Sequence, residues 1–134
     1  MIYEEAILKV SKMLIKKVKE AIKYAYAPYS KIQVGAALYC KDGKIYTGTN
    51  IENSSFPLTI CAERVALFKA LSEGTTKFPL LLLYSPQYDF ITPCGACLQV
   101  LSEFAPELII ATMNQNEEFK FFPIRALLKM PFRL

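Results

Sequence analysis

The chain predicts an α/β fold in which a mixed sheet carries helices on both faces. Three observations predict it. An amphipathic helical stretch opens the sequence, and an Asp-Gly hairpin turn follows at Lys41-Asp42-Gly43-Lys44. From there, short strand-like runs alternate with helix-like ones, an order that requires helices packed on a sheet of mixed direction. With 134 residues, 53% hydrophobic and 21% charged, residues 1–134 suffice for one compact soluble domain with a real core, and no linker or internal repeat interrupts them.

Across residues 3–25, Ile7, Val10, Leu14, Val18, Ala21 and Ala25 recur at helical spacing. Lys9, Lys12, Lys16, Lys19 and Lys23 form a second stripe that is expected to face water. Ala27-Pro28-Tyr29-Ser30 breaks the helix, residues 33–40 read as a strand, and residues 45–50 return after the hairpin turn. The polar, proline-ended segment 50–57 is a loop. Residues 61–73 suit a helix packed closely on a sheet through Ala62, Val65, Ala66 and Ala70, and Gly74 ends it. A buried strand at 78–84, a loop at 85–93, a helix at 94–104, a strand at 107–112, an edge strand at 118–122 and a short helix at 124–129 complete the order.

The longest apolar run, around residues 78–84, falls far short of a membrane span, and the first residues show no signal peptide. Sixteen basic against 12 acidic residues leave a net charge of +4, weak grounds for a nucleic-acid partner. Cys40, Cys61, Cys94 and Cys97 could form disulfides in a secreted chain. A C-x-x-C pair without a secretion signal instead favours metal ligation in a reducing cytoplasm. Cys40, at a strand end with no metal-spaced partner, reads as a small buried hydrophobe.

The chain contains no histidine, which excludes Ser/His, Cys/His and His-zinc chemistry within one chain. General acid-base work falls to Glu, Asp, Lys, Tyr or Cys. Two stretches supply the chemistry: Thr59-Ile60-Cys61-Ala62-Glu63-Arg64 and Thr92-Pro93-Cys94-Gly95-Ala96-Cys97. Both fall where the chain enters a helix, so main-chain N–H groups and helix dipoles favour the thiolates. Three thiolates hold a zinc ion and leave the fourth tetrahedral position to water, the mark of a catalytic rather than a structural site. Their formal charge weakens the metal as a Lewis acid, and Arg64 is placed to offset it by donating to a thiolate sulfur. Glu63 is near enough to exchange protons with the water without ligating the metal.

Cys61-Ala62-Glu63 with Pro93-Cys94-Gly95-Ala96-Cys97 is the three-cysteine form of the zinc nucleobase deaminase signature. With Tyr29-Ser30-Lys31, Val34-Gly35-Ala36-Ala37, Asn50-Ile51-Glu52-Asn53 and Gln99-Val100-Leu101, the chain closely resembles the small homotetrameric zinc-dependent cytidine deaminases from about residue 25 to Phe132. The resemblance implies a three-layer α/β/α cytidine deaminase-like fold around a mixed five-stranded sheet. It implies one Zn2+ per subunit on Cys61, Cys94 and Cys97, with Glu63 as proton shuttle. The implied reaction is hydrolysis of cytidine and 2′-deoxycytidine to uridine and 2′-deoxyuridine by zinc-activated water, in cytoplasmic pyrimidine salvage.

By the same resemblance Asn50 and Glu52 meet the ribose hydroxyls, and the main chain of Ala62 meets the base. Phe56 and Phe132 match aromatics that enter the active site from neighbouring subunits of the homotetramer. A free nucleoside is then the substrate partner, with no nucleic acid or membrane, since a carboxylate at a ribose hydroxyl repels phosphate. Three positions depart from the family pattern: Ile32 replaces a stacking phenylalanine, Phe56 a tyrosine, and Leu98 the arginine that usually follows the last cysteine. The alternatives are a deaminase of another cytosine compound, such as a blasticidin-type antibiotic, and a zinc-stabilised interaction module. The latter needs a fourth ligand, for which Cys40 is the remaining sulfur.

Overall fold

The computed structural model describes residues 2–134, with side chains described from Leu8 onward, so Ile7 of the apolar helical stripe lies outside the described side chains. Helix α1 (Ile2–Ala21) continues as a single 3-10 turn over Ile22–Tyr24. The strands are β1 (Gly35–Tyr39), β2 (Ile45–Thr49), β3 (Leu80–Tyr84), β4 (Ile109–Met113) and β5 (Phe119–Pro123). Helices α2 (Ala62–Ser72), α3 (Gly95–Phe104) and α4 (Ile124–Leu127) complete the order. Each expected element is present, with ends trimmed or shifted by a residue or two where the last backbone groups pair outside the ladder. A 3-10 turn at Phe56–Leu58, with proline in its first positions, lies inside the segment expected to be irregular.

The five strands form one sheet in the order β2-β1-β3-β4-β5. Only β3 and β4 run parallel, and the other three pairings are antiparallel. The register sends alternate residues to opposite faces. Leu38, Leu81 and Ile110 line up across three strands and join Ala66, Leu67, Ala70 and Leu101 in the core under α2 and α3. Ala37, Leu82 and Ala111 line up on the other face and pack against Leu14 and Val18 of α1. These are the three layers.

Two glycines let the layers close. A Cβ on Gly48 would stand 2.2 Å from the Ala62 carbonyl oxygen and 2.6 Å from the Ala66 nitrogen, so α2 approaches edge strand β2 backbone to backbone. On the opposite face a Cβ on Gly35 would stand 2.8 Å from Val18 Cγ2 of α1. Because α2 lies this close to the sheet, its first turn, which carries Glu63, is fixed relative to β1 and β2.

The lysine stripe is only partly a solvated face. Lys9, Lys12, Lys16 and Lys23 are exposed, whereas Lys19 reaches Glu117 at 2.6 Å and lies over the Tyr84 ring. Cys40 is fully buried in the α2/α3 core, as expected of a small hydrophobe.

Candidate active site

Helices α2 and α3, on the same face of the sheet, deliver their starts to one place. Cys61 is the N-cap of α2 and Cys94 the N-cap of α3, each with extended backbone and neither using its side chain to cap the helix. Their main-chain carbonyls accept the first helical N–H groups instead, Cys61 from Arg64 and Val65, and Cys94 from Leu98. The sulfurs are therefore free to converge. Cys97, one turn into α3, is buried and points the same way, and the three sulfurs lie within 4.8 Å of one another.

That spacing fits zinc. Sulfurs about 2.3 Å from a tetrahedral ion stand about 3.8 Å apart, and the Cys61 and Cys94 sulfurs are separated by 3.8 Å. All three donors are thiols, the soft ligands that zinc selects. Cys40 is not part of the group, so the fourth-ligand arrangement that a structural zinc module needs is not formed among the described residues.

Arg64 Nη2 donates to Cys61 Sγ at 3.3 Å, while its Nε is buried without a partner. The neighbouring Cys97 thiol and then Arg64 pull the Cys61 thiol down to about 5. Cys97, which donates to Cys61 from a buried position, is pushed up, and the thiolates hold the Arg64 proton more firmly. Leu98 is packed in the core behind α3 with 7% of its surface exposed. Arg64 is thus the cation hydrogen-bonded to the sulfur group.

Glu63 follows in the first turn of α2 and is 4% exposed. Burial pushes its carboxyl up to about 7. It shares with Cys61 and Cys94 a cavity of about 240 Å³ whose other walls are largely aliphatic, including Ile32, Val34, Leu83 and Ile91. Ala62, fully buried between ligand and acid, lines the same cavity, and no larger side chain intrudes there. Ile32, the departure from an aromatic, is one wall.

Asn50 and Glu52 flank Ile51, which bridges Tyr26 on one side and Ile60 on the other. Asn50 lines the cavity, but its side chain is already engaged, accepting from Val34 N–H at 2.9 Å and donating to the Ile32 carbonyl at 2.7 Å. Glu52 turns toward the preceding loop. Its Oε1 accepts from the N–H groups of Tyr29 and Ser30 at 3.0 and 3.1 Å, and its Oε2 accepts from the Ser30 hydroxyl. The Ser30 hydroxyl bond first, and then the two N–H bonds, hold the Glu52 carboxyl below its ordinary value.

Phe56 and Phe132 are 61% and 69% exposed and do not line the cavity of their own chain. Phe56 rests against Tyr29, with ring centroids 6.3 Å apart. The Gln99 side chain of α3 binds both the N–H and the carbonyl of Phe132.

Two further contributors were not singled out from sequence. Ser30 lines the cavity and binds Glu52, and Thr112, buried on β4, donates to the Ile91 carbonyl at 2.5 Å and pins the loop that leads to Cys94. Ser30 carried a signal in the Tyr29-Ser30-Lys31 turn. Thr112 carried none, since a lone threonine in an apolar strand reads as an ordinary β-former.

Two helix starts that bring three thiols together, two of them in one cavity with a buried carboxylate, define a thiolate-zinc hydrolytic enzyme. The family model for the cytidine and deoxycytidylate deaminase zinc-binding region matches residues 8–113, and the chain belongs to that family. It is 52% identical over 91 residues to a cytidine deaminase of Sporosarcina psychrophila, covering 68% of this chain and 67% of the relative. A cytidine deaminase of Halalkalibacterium halodurans is 51% identical over 94 residues, covering 70% and 71%. The crystal structure of a cytidine deaminase from Burkholderia pseudomallei superposes with a TM-score of 0.85 at 40% identity, covering 90% of this chain and 98% of that one. Similarity to a blasticidin-S deaminase of Bacillus cereus is more distant, 33% identity over 94 residues, covering 63% and 67%.

Proposed function

We propose that the protein hydrolyses cytidine and 2′-deoxycytidine to uridine and 2′-deoxyuridine with release of ammonia. The observation that carries this reading is Glu63, a buried carboxylate in the same cavity as Cys61 and Cys94. Cys61, Cys94 and Cys97 would hold a zinc ion, which would supply the Lewis acidity that activates water. Glu63 would take one proton from the attacking water and deliver it to N3 as the water oxygen bonds to C4, and then move that oxygen's second proton to the amine, which leaves as ammonia when the C4–N bond breaks. The aliphatic walls exclude bulk water while the C4–N bond breaks. Ala62 leaves the space the base needs, and Arg64 offsets the excess negative charge of the thiolates.

Asn50 and Glu52 recognise the ribose hydroxyls, and the negative charge of Glu52 disfavours a phosphorylated sugar. The exposure of Phe56 and Phe132 outside their own chain's cavity supports a homotetramer in which each aromatic completes a neighbour's site. A free nucleoside substrate suits pyrimidine salvage in the cytoplasm, and none of the described helices is long and apolar enough to cross a membrane.

The test is turnover of cytidine and 2′-deoxycytidine by zinc-loaded protein, followed by loss of cytosine absorbance, with Glu63→Gln as control and blasticidin S in the same panel. Turnover of the two nucleosides that Glu63→Gln abolishes is the expected result. Deamination of blasticidin S alone would move the assignment to the antibiotic, and equal turnover by wild type and variant would overturn it.

A further inference from the structure

The sugar side of the cavity is built around one hydroxyl. Ser30 Oγ donates to Glu52 Oε2 and accepts from the Ile32 N–H at 3.0 Å. A serine hydroxyl has one donor and two acceptor positions, so one acceptor position remains. Ser30 is a wall of the cavity, whereas Glu52, 6% exposed, stands behind it with both carboxylate oxygens already accepting hydrogen bonds. Asn50, the other polar wall here, is committed through its oxygen to Val34 and through its nitrogen to Ile32.

We infer that Ser30 is a specificity-determining residue: its hydroxyl aims the Glu52 carboxylate and offers its free acceptor position to a sugar hydroxyl of the substrate. Resting on the nucleoside reading above, this inference names the group that is read. The atom presented to the cavity, Ser30 Oγ, is an acceptor once Ser30 has donated to Glu52. The ligand must therefore bring a donor, which a free hydroxyl is and an ether or a phosphate ester is not. The same Oγ holds the N–H of Ile32, and Asn50 holds the Ile32 carbonyl, so the wall against the base hangs from the residues that meet the sugar.

The experiment measures kcat and KM of the zinc-loaded protein for cytidine, 2′-deoxycytidine and 3′-deoxycytidine, in wild type, Ser30→Ala and Ser30→Thr. Wild type is expected to prefer cytidine over at least one deoxy analogue by about tenfold in KM, the upper worth of one hydrogen bond between neutral groups. Ser30→Ala raises KM for cytidine by about tenfold, leaves kcat within about twofold and removes that preference, and Ser30→Thr restores it. If Ser30→Ala raises all three KM values by one common factor, Ser30 only supports the loop and the inference fails. It fails equally if no KM changes. Absence of wild-type turnover on every nucleoside instead overturns the nucleoside reading itself, before any variant is compared.

Discussion

Gln99 grips the main chain of Phe132 at both ends, accepting from its N–H at 2.8 Å and donating to its carbonyl at 2.9 Å. The C-terminal segment is thereby tied to α3, the helix that carries Cys97, and Arg133 adds a bond to the Ser102 carbonyl. Gln99→Glu keeps the acceptor and loses the donor, whereas Gln99→Ala loses both. If Phe132 completes a neighbouring subunit's site, kcat/KM falls by about fivefold in the first and tenfold or more in the second, by the worth of one or two hydrogen bonds. Steady-state kinetics beside amide exchange at Phe132 check this, and a freed tail with unchanged kinetics counts against any role for the ring.

Glu63→Gln keeps the size of the side chain and removes its proton traffic. Turnover is expected to fall by about 10²–10⁴-fold, the range of a general acid-base group. Metal content, measured by atomic absorption, is expected to remain that of the wild type, because Glu63 is not one of the three ligands.

Arg64→Ala removes the cation at Cys61 while Leu98 offers no second one. A charge-assisted hydrogen bond contributes about 1.5–3 kcal/mol, so kcat is expected to fall by roughly 10–100-fold. The drop should exceed that in relatives that also carry an arginine after the last cysteine. Near-wild-type kcat with full zinc occupancy would sink this role.

Gly48→Ala forces a Cβ into the backbone of α2, where neither the Ala62 carbonyl nor the Ala66 nitrogen can yield as a side chain would. A loss of at least about 1–3 kcal/mol, as for overpacking, is expected in denaturant titration. Gly95→Ala is the contrast, since nothing lies within 4 Å of its added Cβ, and its stability is expected to stay within about 1 kcal/mol of wild type or rise slightly.

Glu52 also predicts a pH dependence. Its carboxyl is held below the ordinary 4.5 in the folded protein by Ser30 and Tyr29. A lowered native value means that the unfolded chain binds the proton more readily, so stability rises with pH through this window. The contribution is complete above the unfolded value and disappears as pH falls through the native one. Glu52→Gln removes it, and acid titration of wild type and variant should show the two stability curves converging as pH falls below the ordinary carboxyl value of 4.5.

The three-thiol group and the buried carboxylate beside it were legible because their signals are local. A thiol just before a helix, a second pair one turn apart and an acid beside them fix both chemistry and rough placement within a few residues. The orientation of Glu52 was not legible, because its partners Tyr29 and Ser30 lie 23 and 22 residues earlier and the segments meet at the Tyr26–Ile51 bridge. Lys19 likewise reads as a solvated lysine until the packing of α1 across the sheet brings Glu117 within reach. The burial of β3 was legible from its apolar run, and in the structure Leu81 and Leu83 face α2 and α3 while Leu82 faces α1. The backbone approach at Gly48 is a property of helix and strand together and leaves only a glycine in the sequence.

Cys61 and Cys94 occupy helix N-cap positions that proteins usually give to Ser, Thr, Asp or Asn, and neither sulfur caps its helix. Leaving such a position without a capping side chain weakens a helix by about 0.5–2 kcal/mol. The two helix starts stand 33 residues apart in sequence and are joined by the same sulfurs that grip zinc. An ion bound there would act as a removable cross-link, closing a long loop and anchoring the two helix ends in one contact. Chelation is then a folding perturbation as well as an inhibition, and the melting temperature of this protein becomes a readout of zinc supply.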